Sequence, residues 1–197
     1  MEIGFGELEL AAGTFHYAHT GGAGQPLILC LHGFPESWLA YEAILARLGS
    51  GGYHAVAPDQ RGFNKSAKPQ GAEAYHTRHL VADMFELADR LSPDSPFVLM
   101  GHDWGSAVAY AMAFSRPDRI SHLIVANGVH PWCFQNTIVH NAAQRAASQY
   151  MTRLRHHDSG QLMAANDFER TLNMMARFSM ADWLTTEMGA AYKAQWR

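Results

Sequence analysis

The chain has 197 residues, of which 48% are hydrophobic and 17% charged, with a formal net charge of −3 at pH 7. This composition excludes a disordered chain, and the absence of any basic run argues against nucleic acid as a partner. Two cysteines form no disulfide framework, no apolar run reaches membrane-spanning length, and the first residues are acidic, so we expect a cytoplasmic protein without a membrane partner.

Short apolar strand patterns alternate with longer helical patterns in the first part of the chain. The predicted strands are a leading hairpin at residues 7–10 and 14–18, followed by residues 26–31, 53–57, 97–100 and 120–126. The predicted helices are residues 37–48, 75–91 and 104–114. Strands that are apolar on both faces and alternate with helices indicate an α/β fold, with a mostly parallel sheet flanked by helices. In such sheets the chemistry lies at the carboxyl ends of the strands.

The pattern changes after Pro131. Residues 137–197 are helical in pattern and rich in Met, Ala, Gln and Arg, with a break at residues 158–160 and no strand pattern. We therefore predict two domains, a core over residues 1–131 and a helical cap over residues 132–197. A helical subdomain without a catalytic role is the alternative.

One motif follows an apolar run directly, Gly101-His102-Asp103-Trp104-Gly105. Flanking glycines suit a sharp strand-to-helix turn that projects its central residue in a strained conformation. The start of the following helix would keep the Asp103 carboxylate ionised, so that it can attack carbon. The motif predicts a nucleophile elbow with Asp103 at its tip. The alternative is a buried aspartate that caps an ordinary helix.

The chain resembles the α/β-hydrolase fold family, and within it the epoxide hydrolases. His32-Gly33-Phe34-Pro35 is similar to the oxyanion-hole loop of that family, residues 59–66 to the loop after its fourth strand, and residues 101–105 to its elbow. Residues 127–131 and 144–151 are similar to its entry into the cap. Each motif alone is weak, whereas their combination in this order is specific.

The resemblance implies a mechanism. Asp103 would attack the less hindered carbon of a small-molecule epoxide and form an alkyl-enzyme ester. Tyr150 matches the first cap tyrosine of the family and would assist the epoxide oxygen as the ring opens, unless it is only an aromatic that packs the cap. The amides of Phe34 and Trp104 would form the oxyanion hole, and the side chains of Phe34, Trp104 and Tyr150 the substrate pocket. No cofactor is implied.

The resemblance also implies residues that the motifs do not include. In this family an acid and then a histidine base follow the nucleophile along the chain. Residues 192–197 still belong to the cap pattern, so we expect the acid, the base, the second cap tyrosine and the final strands to be lacking here. The chain would then be incomplete for turnover. The strand at residues 120–126 would form an exposed sheet edge, through which self-association is possible.

Other histidines do not replace the missing base in this interpretation. A base needs reach to the reacting water and an orienting partner, so we expect four histidines near the cap to be solvated or structural: His130, His140, His156 and His157. His76 and His79 lack a third ligand, and we predict no metal site.

Two other functions remain open. A haloalkane dehalogenase would use the indole N–H of Trp104 to hold a departing halide, but that family usually has a polar residue where this chain has Phe34. The second is a non-catalytic fragment or ligand-binding remnant. Epoxide opening by Asp103 is the favoured function.

Overall fold

A computed structural model describes residues 1–177 and 183–197. Its strands are β1 (Gly4–Leu10), β2 (Gly13–Thr20), β3 (Leu27–Leu31), β4 (His54–Pro58), β5 (Phe97–His102) and β6 (Ile120–Ala126). Its α-helices are α1 (Glu42–Ser50), α2 (Thr77–Leu91), α3 (Trp104–Ser115), α4 (Pro131–His140), α5 (Ala142–Ala147), α6 (Gln149–Leu154), α7 (Ser159–Arg177) and α8 (Thr186–Trp196). Short 3₁₀ helices occupy Trp38–Tyr41, Ala72–Tyr75 and Pro117–Arg119. Among the described helices, none combines the length and the apolarity that crossing a bilayer requires.

The six strands form one mixed sheet in the order β1-β2-β4-β3-β5-β6. The pairs β1/β2 and β2/β4 are antiparallel, whereas β3/β4, β3/β5 and β5/β6 are parallel. The predicted α/β fold with a mostly parallel sheet is thus confirmed. Strand β6 lies at the edge of the sheet, and within the described part of the chain no further strand pairs with its outer side.

Helices cover both faces of this sheet. Successive side chains of a strand point to opposite faces, and β3 accordingly divides its residues between two clusters: Leu27, Leu29 and Leu31 on one side, Ile28 and Cys30 on the other. The first cluster includes residues of α2 and α3, namely Met84, Phe85, Leu87, Ala88, Val108, Ala109 and Met112. The second includes Tyr41 and, from α1, Leu45. Because β3 is buried on both faces, it lies at the centre of the core.

Several boundaries differ from the sequence-based prediction. The predicted helix at residues 37–48 is divided, because the Ser37 hydroxyl accepts the amide of Leu39 and starts a 3₁₀ turn before α1. The predicted strand at residues 97–100 is two residues longer, since β5 continues to pair with β6. The helical part begins at Pro131 rather than residue 137, because proline suits the first position of a helix.

The break predicted at residues 158–160 lies slightly earlier in the chain. Helix α6 ends at Leu154 and α7 begins at Ser159. Helix α7 has a second interruption at residues 165–168, where the backbone angles are not helical. Periodicity alone did not predict that interruption.

The chain divides into two compact units, Met1–Val129 and His130–Arg197. The first contains the sheet with α1 to α3, and the second contains α4 to α8. The second unit begins two residues before the boundary predicted from the sequence, at residue 132. Its role as a cap remains a prediction.

A buried ion pair fixes the loop after β4 to α2. Arg61 donates from Nε to Oδ2 of Asp83 at 2.7 Å and from Nη2 to Oδ1 at 2.6 Å. Both side chains are buried. A third donor of Arg61 reaches the carbonyl oxygen of Ala74 at 2.8 Å. Because the pair is buried and joined by two hydrogen bonds, each charged group supplies the contacts that water cannot supply to the other.

We therefore expect Asp83→Ala to lower the free energy of unfolding by about 3–5 kcal/mol, because it leaves a buried guanidinium without its partner. Denaturant titration followed by circular dichroism measures the change. Glu73→Ala is the control, since it removes only an exposed pair with His76 and should cost less than about 1 kcal/mol. Equal losses in the two variants would contradict the assigned role of the Arg61–Asp83 pair.

Candidate active site

Asp103 occupies the turn between β5 and α3. Strand β5 ends at His102 and α3 begins at Trp104, so the turn is a single residue. The backbone of Asp103 has φ 50° and ψ −119°. A positive φ is strained for any residue other than glycine and persists only where the surrounding structure enforces it. The predicted strand-to-helix turn at Asp103 is present, at the carboxyl end of a parallel strand.

Two glycines make this turn possible by allowing α3 to touch the sheet. A β-carbon on Gly101 would lie 2.7 Å from the carbonyl oxygen of Gly105. A β-carbon on Gly105 would collide with the carbonyl oxygen of Leu31 in β3. Any larger residue at these positions would force α3 away from the strands that position Asp103.

The loop after β3 lies against this turn. The amide of Phe34 donates a hydrogen bond to Oδ1 of Asp103 at 3.0 Å. A β-carbon on Gly33 would lie 2.6 Å from the β-carbon of Asp103, so the backbone of the loop at Gly33 packs directly against Asp103. Trp104 is the first residue of α3, and its amide is one of those that a helix cannot satisfy internally. The structure thus brings Asp103, Phe34 and Trp104 together.

A glutamate that sequence reasoning did not select joins the same two segments. The carboxylate of Glu36 accepts the amide of Gly33 at 3.2 Å and lies 3.0 Å from Nδ1 of His102. Nε2 of His102 lies 3.4 Å from Nδ2 of Asn127, beyond the end of β6. In the sequence, the only indication that Glu36 belongs to the site was its position directly after Pro35 of the loop motif.

The Glu36 contact shifts the pKa of His102. The hydrogen bond that the His102 ring donates to the Glu36 carboxylate raises this pKa above its ordinary value of 6.5, an effect that burial partly opposes and that the Asp103 carboxylate also favours. His102 directly precedes Asp103 in the chain.

The pKa of His32, in the loop motif at residues 32–35, is shifted in the opposite direction to that of His102. Its Nδ1 lies 2.8 Å from the carbonyl oxygen of Gly33, and its Nε2 accepts the amide of Gln60 at 3.1 Å. Burial lowers the pKa of His32, which therefore stays neutral. Both ring nitrogens are engaged, so His32 fixes the loop after β3 to the loop after β4.

A buried carboxylate holds the other side of this loop. Asp59 is fully buried and accepts hydrogen bonds from the amide of Trp38 at 3.1 Å and from Nδ2 of Asn64 at 2.8 Å. Asn64 donates to Oδ2 of Asp59, and the same oxygen lies 2.6 Å from Nδ1 of His16 in β2. Asp59 thus connects three segments around the motif loop and has a structural rather than a reactive setting.

Tyr150 belongs to α6, in the second unit. Together with residues of α7 it lines a cavity of about 730 Å³ within that unit. Apolar side chains such as Leu162, Met163 and Met174 form much of the wall, and Arg153 and Arg170 add positive charge. A cavity of this volume matches the size of ordinary ligand pockets. The participation of Tyr150 in catalysis remains a prediction.

Comparison with known proteins agrees with this arrangement. Residues 26–197 match the model of the alpha/beta hydrolase fold family. A protein of Bacillus subtilis, the AB hydrolase superfamily protein YfhM, is 32% identical over 93% of this chain and 64% of its own length. Epoxide hydrolase 3 of Xenopus tropicalis is 39% identical over 70% of this chain and 37% of its own length.

A solved structure is also similar to this chain. The epoxide hydrolase of Bacillus megaterium, crystallised with an inhibitor, superposes with a TM-score of 0.89 at 29% identity. The superposition covers 97% of this chain and 66% of the crystallised one. The chain therefore spans at most about two thirds of the length of these relatives.

The fold and the matched residues define the class: the chain belongs to the alpha/beta hydrolase fold family. Within that family it is an epoxide hydrolase-like alpha/beta hydrolase. The resemblance inferred from the motifs at residues 32–35 and 101–105 is confirmed.

We expect Glu36→Gln to lower the pKa of His102 towards its ordinary value of 6.5, because the variant loses the carboxylate that raises it. Titration of the histidine ring protons by NMR measures this change. An unchanged His102 titration would contradict the pairing.

The Glu36–His102 pair also makes the free energy of unfolding depend on pH. Because the folded-state pKa of His102 is raised, the stabilisation is fully present below pH 6.5 and is lost as the pH rises through the raised value. The difference in unfolding free energy between the parent and Glu36→Gln should therefore shrink as the pH rises from below 6.5 through the raised pKa of His102. A difference that grows over this range would contradict the assignment.

Proposed function

We propose that this chain opens epoxides by attack of the Asp103 carboxylate on the less hindered ring carbon. One carbon–oxygen bond of the ring breaks, a new ester bond to Asp103 forms, and the released alkoxide takes a proton from a hydrogen-bond donor. The observation that carries the proposal is the single-residue turn at Asp103, with its positive φ and the Phe34 amide 3.0 Å from Oδ1. Nucleophilic catalysis of this kind divides one difficult step into two.

Tyr150 is the proposed proton donor in this step. A phenol hydrogen-bonds to the epoxide oxygen and stabilises the negative charge that develops as the ring opens. Its position supports this role, because Tyr150 is 39% exposed and lines a largely apolar cavity of its own unit, where a ligand could reach the phenol. We also propose that the side chains of Phe34 and Trp104 contact the substrate at Asp103.

The amides of Phe34 and Trp104 are proposed to act in the second step. Hydrolysis of the ester passes through a tetrahedral oxyanion, which two convergent amides stabilise. In the structure the Phe34 amide binds the Asp103 carboxylate itself. That contact supports the assignment, because an amide that holds the carboxylate oxygen is placed to hold the same oxygen in the ester.

Release of the ester requires a base, and the two histidines beside the turn are both engaged. His32 uses both ring nitrogens in hydrogen bonds and is kept neutral, whereas His102 lies between Glu36 and Asn127 with a raised pKa. We therefore propose that the 197-residue chain forms the ester once and releases it slowly. Loss of a general base costs about 10²–10⁴ in rate.

Intact mass spectrometry tests this proposal with styrene oxide as the probe. We expect one adduct per chain, mapping to Asp103, and none in Asp103→Asn. Asp118→Asn is the matched control, because Asp118 is an exposed aspartate in the same unit and its removal should leave the adduct unchanged. Tyr150→Phe should slow adduct formation by about 10²-fold or more.

Other outcomes would select other functions. Repeated turnover to the diol would contradict the proposal of slow ester release and would direct attention to His130, His140, His156 and His157. Release of halide from a small haloalkane, with no epoxide adduct, would favour a haloalkane dehalogenase that uses the Trp104 indole. The absence of any adduct with a folded chain would favour a ligand-binding remnant.

We also propose that the chain associates with itself through β6. Edge strands present unpaired backbone groups to other chains. Strand β6 lies at the sheet edge, most of its residues are only partly buried, and Ile124 is 45% exposed.

We expect Ile124→Lys to shift the chain towards monomer, because a charge on an edge strand opposes pairing. Sedimentation velocity at several concentrations measures the shift. Phe114→Lys is the control, since Phe114 is an exposed apolar residue on α3 rather than on the edge. A parent chain that is monomeric at all concentrations would contradict the proposal.

A further inference from the structure

The turn between α6 and α7 brings three potential metal ligands together. His156, His157 and Asp158 each offer one ligand atom, and these atoms lie within 4.8 Å of one another. The two histidines are exposed and Asp158 is half-buried. The sequence-based expectation of no metal site considered the spacing of His76 and His79, whereas this cluster consists of three consecutive residues.

Local hydrogen bonds present the three side chains on one turn. The amide of Ser159 donates to the carbonyl oxygen of His156 at 3.0 Å, and the amide of Leu162 donates to that of Asp158 at 3.0 Å. The carboxylate of Asp158 lies 2.5 Å from Nδ1 of His156, and the two imidazole rings are 4.3 Å apart between centroids.

The donor set selects the class of cation. Imidazole nitrogen with one carboxylate suits zinc and its neighbours among the transition metals, whereas calcium and magnesium prefer oxygen ligands alone. Tetrahedral zinc with nitrogen ligands at its usual distance places two donor atoms about 3.3 Å apart. Exposed side chains can close the remaining gap by small rotations about their χ angles.

We propose that His156, His157 and Asp158 form a binding site for a zinc-class divalent cation. Three protein ligands leave the fourth tetrahedral position to water. The chelate would hold the short connection between α6 and α7 in one conformation. Because Tyr150 on α6 and Leu162 on α7 line one cavity, the cation would stabilise the segment that shapes it.

Isothermal titration of the untagged 197-residue chain with Zn²⁺ tests the site. We expect one ion per chain, and visible absorption of bound Co²⁺ typical of four-coordinate geometry. His157→Gln and Asp158→Asn should each weaken binding by about tenfold or more. Zn²⁺ should also raise the melting temperature of the parent and should raise that of either variant less, since binding to the folded state alone is stabilising.

His76→Gln is the matched control. His76 also contacts a carboxylate on the surface, with Nε2 2.6 Å from Glu73, but it has no second histidine beside it in the sequence. Its substitution should leave the Zn²⁺ affinity unchanged. The proposal is overturned if the parent does not bind Zn²⁺, if His157→Gln or Asp158→Asn binds it as tightly as the parent, or if His76→Gln removes the binding. Circular dichroism of each variant shows that the fold is retained.

Discussion

The contact of α3 with the sheet at backbone distance is the constraint on which the candidate site depends. Gly101 and Gly105 carry no β-carbon, so the start of α3 lies directly against β5 and the carbonyl oxygen of Leu31. The chain must then reverse from strand to helix within one residue, and Asp103 takes a positive φ. The strained backbone is therefore that of Asp103, the residue proposed as the nucleophile.

The loops around Asp103 are held by buried polar groups rather than by apolar packing alone. Asp59 holds the region of Trp38, His32 joins the loops after β3 and β4, and Arg61 fixes the second of these loops to α2 through Asp83. Each group is satisfied by partners from different segments, so none can move without leaving a buried polar atom unpaired. This gives the Phe34 amide a defined position beside Asp103.

The two histidines of the motifs show how similar sequence contexts lead to different chemistry. His32 is completely buried and hydrogen-bonded to backbone groups, so that desolvation dominates and its pKa falls. His102 is partly exposed and meets the carboxylate of Glu36, so that the hydrogen bond dominates and its pKa rises. One ring therefore serves as a neutral connector, and the other forms a hydrogen bond to the carboxylate of Glu36.

The sequence by itself determined the fold class, the strand order along the chain and the turn at Asp103. These properties follow from local patterns: apolar runs, helical periodicity, and glycines on both sides of a single acid. It also placed Phe34 and Trp104 in the site, because the carboxyl ends of parallel strands meet at one edge of a sheet. Element ends and the interruption of α7 at residues 165–168 were missed, since short-range periodicity does not record where packing and capping end a helix.

Only the tertiary structure decided the partners of these residues. Glu36 and His102 are 66 positions apart, and no local pattern indicates that one will raise the pKa of the other. The same holds for Asp59 with His16, which pair across 43 positions. The His156-His157-Asp158 cluster is contiguous in sequence, but only the folded turn shows that its ligand atoms lie within 4.8 Å of one another. Charge state and ligand geometry depend on distances between side chains, and those distances are set when the chain folds.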